Sequence, residues 1–330
     1  MLTILSCRII VLVDYSLKIR KHEWGKMKAI IEAINAKYDI EAKEIIPIRD
    51  MIGVVFLVIS EKGKYLLKLY KSSQIFDVVN TFDIIDHLYN DHANNLTILK
   101  TKFFQNRFTV VYDDKPYIGI IMTYVEGEHP TREEDFEEII KMMKNIHLRM
   151  NHYPKYLPYL GKKFYISRFV KLLLELKYDK EKSKDLETWG TEFFKYIDEA
   201  PRSFCHGDFH TENLIKDAQG ELTLLDFDAS SHTTYLVDIA TFCDMTNFNH
   251  LEKDQFQKTL DQISVCQELY HDFPDREWKI MMAFIPVRHL ELIATIAKAR
   301  GNEEISQSFL DQQYDWIKQY RELFIEWLNR

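Results

Sequence analysis

Residues 203–230, SFCHGDFHTENLIKDAQGELTLLDFDAS, place carboxylates, imidazoles and an amide next to short apolar runs. Asp208 and Asn213 fall in a predicted loop, and Asp226 follows LTLL, a run that predicts a strand. If the loop and the strand end converge, three oxygen-bearing side chains line one pocket. Carboxylate and amide oxygens are hard ligands that suit Mg²⁺, which takes its remaining ligands from water and phosphates. An aspartate left free of the metal could orient and deprotonate a hydroxyl for attack on phosphorus.

The overall composition indicates a globular protein and excludes two classes of partner. The chain has 330 residues, of which 46% are apolar and 28% are charged, enough for a core in each of two domains. The formal net charge of -8 repels nucleic acid and anionic membranes, and no block of Lys and Arg compensates locally. We therefore expect no nucleic-acid partner and no membrane partner.

Cysteines and apolar runs bear on the compartment. The four cysteines are scattered without C-x-x-C spacing, and we interpret them as reduced thiols of a cytoplasmic protein. The apolar N-terminal run MLTILSCRIIVLV lacks the basic flank and cleavage site of a signal peptide. It predicts a strand or an upstream extension, with Met27 as an alternative start. No other apolar run approaches the roughly 18 residues that a transmembrane helix needs.

The first part of the chain predicts an antiparallel sheet with one embedded helix. Residues 28–40 have apolar positions at helical spacing. Residues 53–71, GVVFLVISEKGKYLLKLYK, predict a hairpin around a turn that contains glycine. Residues 76–92 return to helical spacing, and residues 108–127 predict two more strands around the turn signal DDKP.

The chain after residue 126 is predicted to be mainly helical. A helix begins after Thr131, a residue type suited to the N-cap, with acidic residues in the first turn. Residues 178–185, YDKEKSKD, predict a solvated connection between further helices. From about residue 250 three helical segments follow, and Pro286 predicts a kink in the middle one. The predicted organisation is an uncertain extension over 1–26, an N-terminal domain over 27–126 and a C-terminal domain over 127–330.

Two motifs in this chain resemble those of one superfamily. HGDFHTEN (206–213) matches the H-G-D-x-x-x-x-N loop of the aminoglycoside phosphotransferase and choline kinase superfamily, small-molecule relatives of the protein kinases. LLDFDAS (224–230) resembles the metal-binding segment of that superfamily and follows in the right order. The resemblance implies an α+β, two-lobed protein-kinase-like fold, with a small antiparallel β-sheet N-lobe carrying one helix and a larger, mainly helical C-lobe. It also implies ATP- and Mg²⁺-dependent transfer of the γ-phosphoryl group to a hydroxyl of a small molecule.

The resemblance assigns roles to the residues that match its motifs. It implies that Asp208 is the catalytic base and that Asn213 and Asp226 are magnesium ligands. It further implies that His206 structures the loop. Asp238, in YLVDIATF, resembles the superfamily's D-x-A aspartate and is expected to cap and hold the catalytic loop.

Nucleotide-binding residues are expected in the N-terminal domain. Lys68, on the predicted strand KYLLKLYK, is expected to contact the nucleotide's α- and β-phosphates. The family has a glutamate partner for this lysine on the next helix; here Asp86, or else Asp83, stands in that region. The glycine-rich lid is reduced to Gly53. The segment IIMTYVEGE resembles the hinge, where the backbone of three residues would bind adenine: Thr123, Tyr124 and Val125.

Acceptor-contacting residues are harder to assign from sequence. Asp228 could face the metal or a cationic substrate, and an exposed loop carboxylate is the equal alternative. Arg288 and Glu291 lie on a helix expected beneath the acceptor pocket, with ordinary helix packing as the alternative. His210 is expected to shape the loop, and His147 is expected to be a core histidine.

The overall plan of the chain, meaning its order of segments and motifs, is most similar to that of the spore coat protein S group of the superfamily. That similarity makes spore coat proteins candidate partners and a spore-associated location an alternative to a purely cytoplasmic one. Two functions from different classes follow: a small-molecule kinase, or a non-catalytic kinase-like scaffold such as a spore-coat-associated protein. A protein kinase is disfavoured, because no segment from D-F-G to A-P-E is present.

Overall fold

The computed structural model describes residues 21–50, 54–89 and 96–330. The predicted strand or extension in the apolar N-terminal run and the single lid glycine, Gly53, lie outside these residues. Helix α1 (Lys21–Lys37) begins within the segment that the sequence left as an uncertain extension.

The described chain divides into two compact units. One, here called the β unit, comprises residues 21–130 and 214–228; the other, the helical unit, comprises residues 131–213 and 229–330. The prediction placed residues 214–228 with the C-terminal domain, whereas the structure groups them with the sheet. The reason is hydrogen bonding: the N–H and C=O of Glu128 pair with the C=O and N–H of Lys216 at 3.0 and 2.8 Å.

The β unit contains a five-stranded antiparallel sheet in the order β1-β2-β3-β5-β4. The strands are β1 (Ala42–Asp50), β2 (Val54–Ser60), β3 (Gly63–Lys71), β4 (Phe108–Tyr112) and β5 (Lys115–Thr123). The hairpin predicted over 53–71 is confirmed, with Ser60 paired to Gly63 across its turn. The turn predicted at DDKP is also confirmed: Asp113 and Asp114 both have positive φ, 52° and 57°, as a two-residue hairpin turn requires.

Strand β1 was not predicted from the sequence. Its residues, AKEIIPIRD, mix charges with a proline and show no clear alternation. The strand lies at the edge of the sheet, where a proline is tolerated because one side of the backbone has no strand to bond.

The two faces of the sheet serve different purposes. On one face, α1 packs its Ile30 and Ile34 into a core that includes Leu67 and Leu69 of β3. Because side chains alternate along a strand, Lys68 and Tyr70 point to the opposite face. This unit also contains helix α2 (Ile75–Tyr89) and a two-stranded sheet of β6 (Leu214–Lys216) and β7 (Leu222–Leu224).

The helical unit is built from helices, as predicted. They are α3 (Arg132–Met150), α4 (Arg168–Glu175), α5 (Lys180–Asp198), α6 (Leu236–Cys243), α7 (Lys253–Tyr270), α8 (Asp275–Arg300) and α9 (Gln307–Leu328). The N-cap prediction is confirmed, because Thr131 Oγ1 accepts the N–H of Glu134 at 3.2 Å. The solvated connection predicted over 178–185 is wrong: Asp179 caps α5 by accepting the N–H of Lys182, so the charged run starts a helix.

Helix α8 is the central helix of this unit and runs through Pro286 as one element. It also has the length and hydropathy that a membrane-crossing helix needs over Asp275–Ala299, but 72% of that apolar window is buried, as in a core helix. Pro286 has no N–H for the carbonyl of Met282, four residues earlier. The buried hydroxyl of Tyr320, on α9, donates to that carbonyl at 2.8 Å instead.

Tyr320→Phe should therefore destabilise the protein by about 1–3 kcal/mol, because it leaves the buried Met282 carbonyl without a donor. In a Pro286→Ala background the restored N–H serves the carbonyl, and the same substitution should lose much of its effect. Urea unfolding of the four proteins measures both values. Tyr314→Phe, which removes a less buried hydroxyl of α9 bonded to Asp185, is the matched control and should change little. Equal losses from Tyr320→Phe in both backgrounds would contradict the explanation.

Candidate active site

In the helical unit, the loop of residues 206–213 is held by a buried carboxylate. Asp238, in the first turn of α6, accepts the N–H of His206 at 2.7 Å and that of Gly207 at 2.8 Å. His147 binds the same carboxylate through Nε2 at 2.8 Å, and its Nδ1 lies 2.6 Å from the hydroxyl of Tyr270. A buried carboxylate needs such partners, because desolvation without them is costly. Asp238 thus has the contacts expected of a residue that holds the loop.

Gly207 is required by the backbone at the start of this loop. Its φ is +82°, a left-handed conformation that favours glycine, and a Cβ here would lie 2.4 Å from the carbonyl oxygen of Ala229. His206, expected to structure the loop, is fully buried, and its Nδ1 accepts the N–H of Asp208 at 3.4 Å. These contacts fix where the Asp208 side chain begins.

Asp208 is surrounded by hydrogen-bond donors. Nη2 of Arg288, from α8, donates to its Oδ1 at 2.8 Å, and Nε2 of His210 lies 3.4 Å from its Oδ2. Asn213 Nδ2 donates to the Asp208 carbonyl at 2.8 Å and to Oδ2 at 3.2 Å. Since the Asn213 NH₂ group is directed at Asp208, the other amide atom, Oδ1, is the one that could bind a cation.

The electrostatics keep Asp208 ionised. Burial by itself raises the pKa of this carboxyl, but the neighbouring His210 and the Arg288 guanidinium outweigh burial and hold the pKa well below its ordinary value. A carboxylate with a low pKa is a weak base. Asp208 is therefore suited to accept a hydrogen bond from a hydroxyl and to orient it, more than to remove its proton early.

In the β unit, a buried lysine lies between two carboxylates. Lys68 Nζ is 2.6 Å from Asp226 Oδ1 and 2.7 Å from Asp228 Oδ2. Burial alone would lower the pKa of Lys68, but the two aspartates raise it well above its usual value, so the amine is charged. One cation facing two carboxylates leaves an excess of negative charge. In keeping with that excess, burial and the adjacent Asp226 raise the pKa of Asp228.

Asp226 has an unusual backbone conformation. It follows β7 with a φ of +62°, a region that few residues other than glycine adopt and that costs roughly 1–3 kcal/mol when imposed. Tyr89, on α2, secures the end of β7: its hydroxyl lies 3.2 Å from the Leu224 carbonyl oxygen and 3.1 Å from the Leu224 nitrogen. The strand end thus holds the Asp226 carboxylate in one direction.

The predicted pairing of Lys68 with Asp86 is wrong. The Asp86 side chain is exposed, and among the described side chains the carboxylates that pair with Lys68 are those of Asp226 and Asp228. The reason is helical geometry: Thr81 faces the cluster, and Asp86, five residues later, lies on a different face of α2.

The residues expected to contact an acceptor also contact other parts of the protein, and their role towards an acceptor stays a prediction. Asp228 binds Lys68, and Arg288 binds Asp208. Glu291 is largely buried and accepts the hydroxyl of Thr295, with Arg168 3.6 Å away. Burial raises the pKa of Glu291. The contacts of Glu291 are those of ordinary helix packing, the alternative interpretation of this residue.

The three hinge residues differ in whether their backbone groups already have hydrogen-bond partners. Thr123 is the last residue of β5, and its N–H already donates to the Thr97 carbonyl at 2.9 Å. Within the described part of the chain, the backbone groups of Tyr124 and Val125 make no backbone hydrogen bond. These two residues, immediately after a strand of the central sheet, could bind the edge of a planar base.

Three partners of the site were missed from the sequence. Tyr70 and Thr81 bind Asp228, and Tyr89 secures β7. Tyr70 could have been found, because a residue two positions from Lys68 on a strand shares its face. Thr81 is a polar residue in an apolar helical stripe, which is a weaker signal. His147, predicted to be a core histidine, is buried, but it also supports the loop through Asp238.

The donor atoms suit a hard divalent cation that takes few ligands from protein. Among the residues the structure describes, no group of three His, Cys, Asp or Glu forms a metal cage. Mg²⁺ in phosphoryl-transfer sites needs none, because one or two protein oxygens suffice beside water and phosphates. Asn213 belongs to the helical unit and Asp226 to the β unit, so their binding of one ion stays a prediction.

Comparisons with known proteins identify the class. A family model described as "Phosphotransferase enzyme family" (APH) matches residues 44–264, about two thirds of the chain. No curated protein sequence matches significantly. A similar solved structure is amicoumacin kinase hAmiN in complex with AMP-PNP, Ca²⁺ and Ami, with 14% identity, coverage of 92% of this chain and 96% of that chain, and a TM-score of 0.68. A microcompartment-associated aminopropanol kinase has 14% identity, coverage of 91% of this chain and 97% of that chain, and a TM-score of 0.65. Choline kinase LicA from Streptococcus pneumoniae has 14% identity, coverage of 91% of this chain and 98% of that chain, and a TM-score of 0.61.

The chain belongs to the phosphotransferase enzyme family. The predicted fold class is confirmed: it is a kinase-like fold, with an antiparallel β-sheet lobe that carries a helix and a lobe that is mainly helical. The predicted superfamily is confirmed at this level, and the identities near 14% support the fold and not a particular acceptor.

The low pKa of Asp208 has a consequence for stability. A carboxyl whose pKa is lower in the folded than in the unfolded protein stabilises the fold. This stabilisation is fully present when the pH is above the pKa of the unfolded state, about 3.9, and it is lost as the pH falls through the pKa of the folded state. The free energy of unfolding of the wild type minus that of Asp208→Asn should therefore decrease as the pH falls below about 4. Denaturant unfolding at several pH values between about 3 and 7 measures it. In an Arg288→Met background the pH dependence should be weaker. A difference that is constant with pH would show that Asp208 is not held ionised by its neighbours.

Proposed function

We propose that this phosphotransferase uses ATP and Mg²⁺ to transfer the γ-phosphoryl group to a hydroxyl of a small molecule. The observation that carries the proposal is the environment of Asp208: a fixed, ionised carboxylate in the loop that matches the family motif. Catalysis of this kind consists mainly of positioning and charge neutralisation, so it needs an orienting carboxylate and not a strong base.

Asp208 acts on the acceptor. Its carboxylate accepts a hydrogen bond from the acceptor hydroxyl, orients the oxygen towards phosphorus and takes the proton late in the transfer. Arg288 and Asn213 position this carboxylate through the hydrogen bonds described above. Asp238 supports the loop from behind by binding two successive N–H groups.

The β unit binds the nucleotide. The free backbone groups of Tyr124 and Val125 bind the adenine edge, and Lys68 neutralises the phosphates. The structure of hAmiN with AMP-PNP and Ca²⁺ supports a nucleoside triphosphate and a divalent ion as ligands of this family. ATP is the expected nucleotide.

Asp226 and Asn213 are the residues that would hold Mg²⁺. The ion, when bound, neutralises charge that develops on the phosphates. The negative excess around Lys68 favours an added cation at Asp226, because two carboxylates there face one amine. The amide oxygen of Asn213 is the second hard donor.

The acceptor is a small hydroxyl compound. The names of the similar kinases refer to amicoumacin, aminopropanol and choline, which are different molecules. A panel of these compounds, spectinomycin and other aminoglycosides, screened for ADP release, is the direct way to identify it.

A non-catalytic kinase-like scaffold, such as a spore-coat-associated protein, is the second candidate. The exposed Asp86 favours it, because the described side chains of α2 give Lys68 no carboxylate partner. The ion pairs of Lys68 with Asp226 and Asp228 and the environment of Asp208 favour chemistry. A scaffold should show no Mg²⁺-dependent stabilisation by ATP in thermal unfolding, whereas an enzyme should show both that stabilisation and slow ATP hydrolysis.

Asp208→Asn should lower kcat by about 10²–10⁴-fold, because the amide cannot accept the hydroxyl proton. ATP binding, measured by calorimetry with Mg²⁺, should stay within about threefold of wild type, since Asp208 does not hold the nucleotide. Asp261→Asn, on the exposed face of α7, is the matched control and should leave both values unchanged. If Asp208→Asn retained most of the turnover, the assigned role of Asp208 would be refuted.

A further inference from the structure

We propose that Asp228 is the positioning residue for Lys68 in this chain, in place of the carboxylate expected on helix α2. The inference rests on the proposed function, because positioning Lys68 matters only if the lysine binds phosphate. It concerns residues of the β unit alone: Lys68 and Tyr70 on β3, Thr81 on α2, and Asp226 and Asp228 after β7.

The amine of Lys68 lies against two carboxylates. Lys68 Nζ lies 2.7 Å from Asp228 Oδ2 and 2.6 Å from Asp226 Oδ1. Both distances are those of strong charge-assisted hydrogen bonds. The amine is thus directed towards the segment that follows β7, and not towards a carboxylate among the described side chains of α2.

Asp228 is itself held by neighbouring hydroxyl groups. Its Oδ1 accepts the Tyr70 hydroxyl at 2.9 Å and the Thr81 hydroxyl at 3.1 Å, so Oδ2 is left for Lys68. Phe227, its neighbour in a short 3-10 turn, is buried with its ring centroid 6.4 Å from that of Tyr89. A carboxylate with neutral donors on one oxygen and the amine on the other is fixed in orientation.

The two aspartates have separate roles. Asp226 is the proposed cation ligand, so a cation would compete with Lys68 for its carboxylate. Asp228 is tied to Tyr70 and Thr81, so it remains a partner for the amine when Asp226 is engaged. Helix α2 then contributes through the Thr81 hydroxyl, which acts on Lys68 by way of Asp228.

The surroundings of Lys68 depart from the pattern expected of the family. The family motif predicts an acid on α2, yet Asp86 is exposed and Lys68 pairs with neither Asp86 nor Asp83. A buried amine without a fixed partner would be unstable, because an unpaired charge in the interior is strongly unfavourable. Asp228, from the segment after β7, supplies the missing partner.

The test compares Asp228→Asn with wild type by calorimetric binding of ATP with Mg²⁺ and of adenosine. ATP binding should weaken about tenfold or more, because the amine loses a charged partner, while adenosine binding should be unchanged because adenosine carries no phosphate. In steady-state assays the KM for ATP should rise by more than kcat falls. Asp228→Glu should recover part of the affinity, and Asp86→Asn is the matched control, expected to equal wild type.

A double-mutant cycle with Lys68→Met separates positioning from metal binding. If Asp228 acts through Lys68, Asp228→Asn should not weaken ATP binding further in the Lys68→Met background. If Asp228 ligates the metal, ATP with Mg²⁺ should bind more weakly in both backgrounds, and the proposal is overturned. Unchanged ATP affinity in Asp228→Asn, or a loss that is equal for adenosine, also overturns it.

Two further measurements cover the remaining outcomes. Should Asp228→Asn fail to fold, Tyr70→Phe removes one support of Asp228 and should weaken ATP binding by a few-fold without affecting adenosine; an unchanged ATP affinity there contradicts the proposal. Failure of the proposed function looks different: wild type itself would bind no ATP with Mg²⁺, and the inference would fall with it.

Discussion

The ammonium group of Lys68 lies in the interior of the β unit, with 8% of the residue exposed, and it is tolerated there because Asp226 and Asp228 neutralise it. A charge removed from water must be paired, and this requirement organises the surroundings. The segment after β7 must come close to β3, and Tyr89 secures it through Leu224. The Tyr70 and Thr81 hydroxyls satisfy the oxygen of Asp228 that the lysine does not use.

The helical unit meets the same requirement with a different set of residues. Arg288 is partly buried on α8 and is paired with Asp208, while the buried Asp238 is paired with two backbone N–H groups and His147. Each of these contacts satisfies a buried charge and also fixes part of the loop that carries the family motif. Stability and positioning are therefore properties of the same hydrogen bonds, so substitutions here should be interpreted with binding measurements and not with activity alone.

Membership of the phosphotransferase enzyme family sets the class of chemistry, and the details of this chain set it apart from the pattern expected of the family. The acid expected on α2 is absent from the surroundings of Lys68 in the described residues, yet the lysine has two partners. A function can thus retain its electrostatic requirement while the residue that meets it moves to another segment. Motif comparison alone would count the change as a loss, whereas the contacts place two other carboxylates beside the lysine.

Much of the fold followed from local patterns. Alternation and turn residues predicted strands β2 to β5, and helical spacing with the Thr131 cap predicted α3. Strand β1 was missed because an edge strand can carry a proline and charges without showing alternation. The start of α5 was missed because its charged residues resemble a solvated loop, although Asp179 caps it.

The sequence by itself determined the motif residues and their order, because H-G-D-x-x-x-x-N and the aspartate after β7 are local strings. It did not determine which charges pair. Lys68 and Asp226 are 158 residues apart, and Asp208 and Arg288 are 80 residues apart. Such pairs arise only when the chain has folded and opposite charges come together in the interior, so only the tertiary structure decided that Asp226 and Asp228, and not Asp86, pair with Lys68.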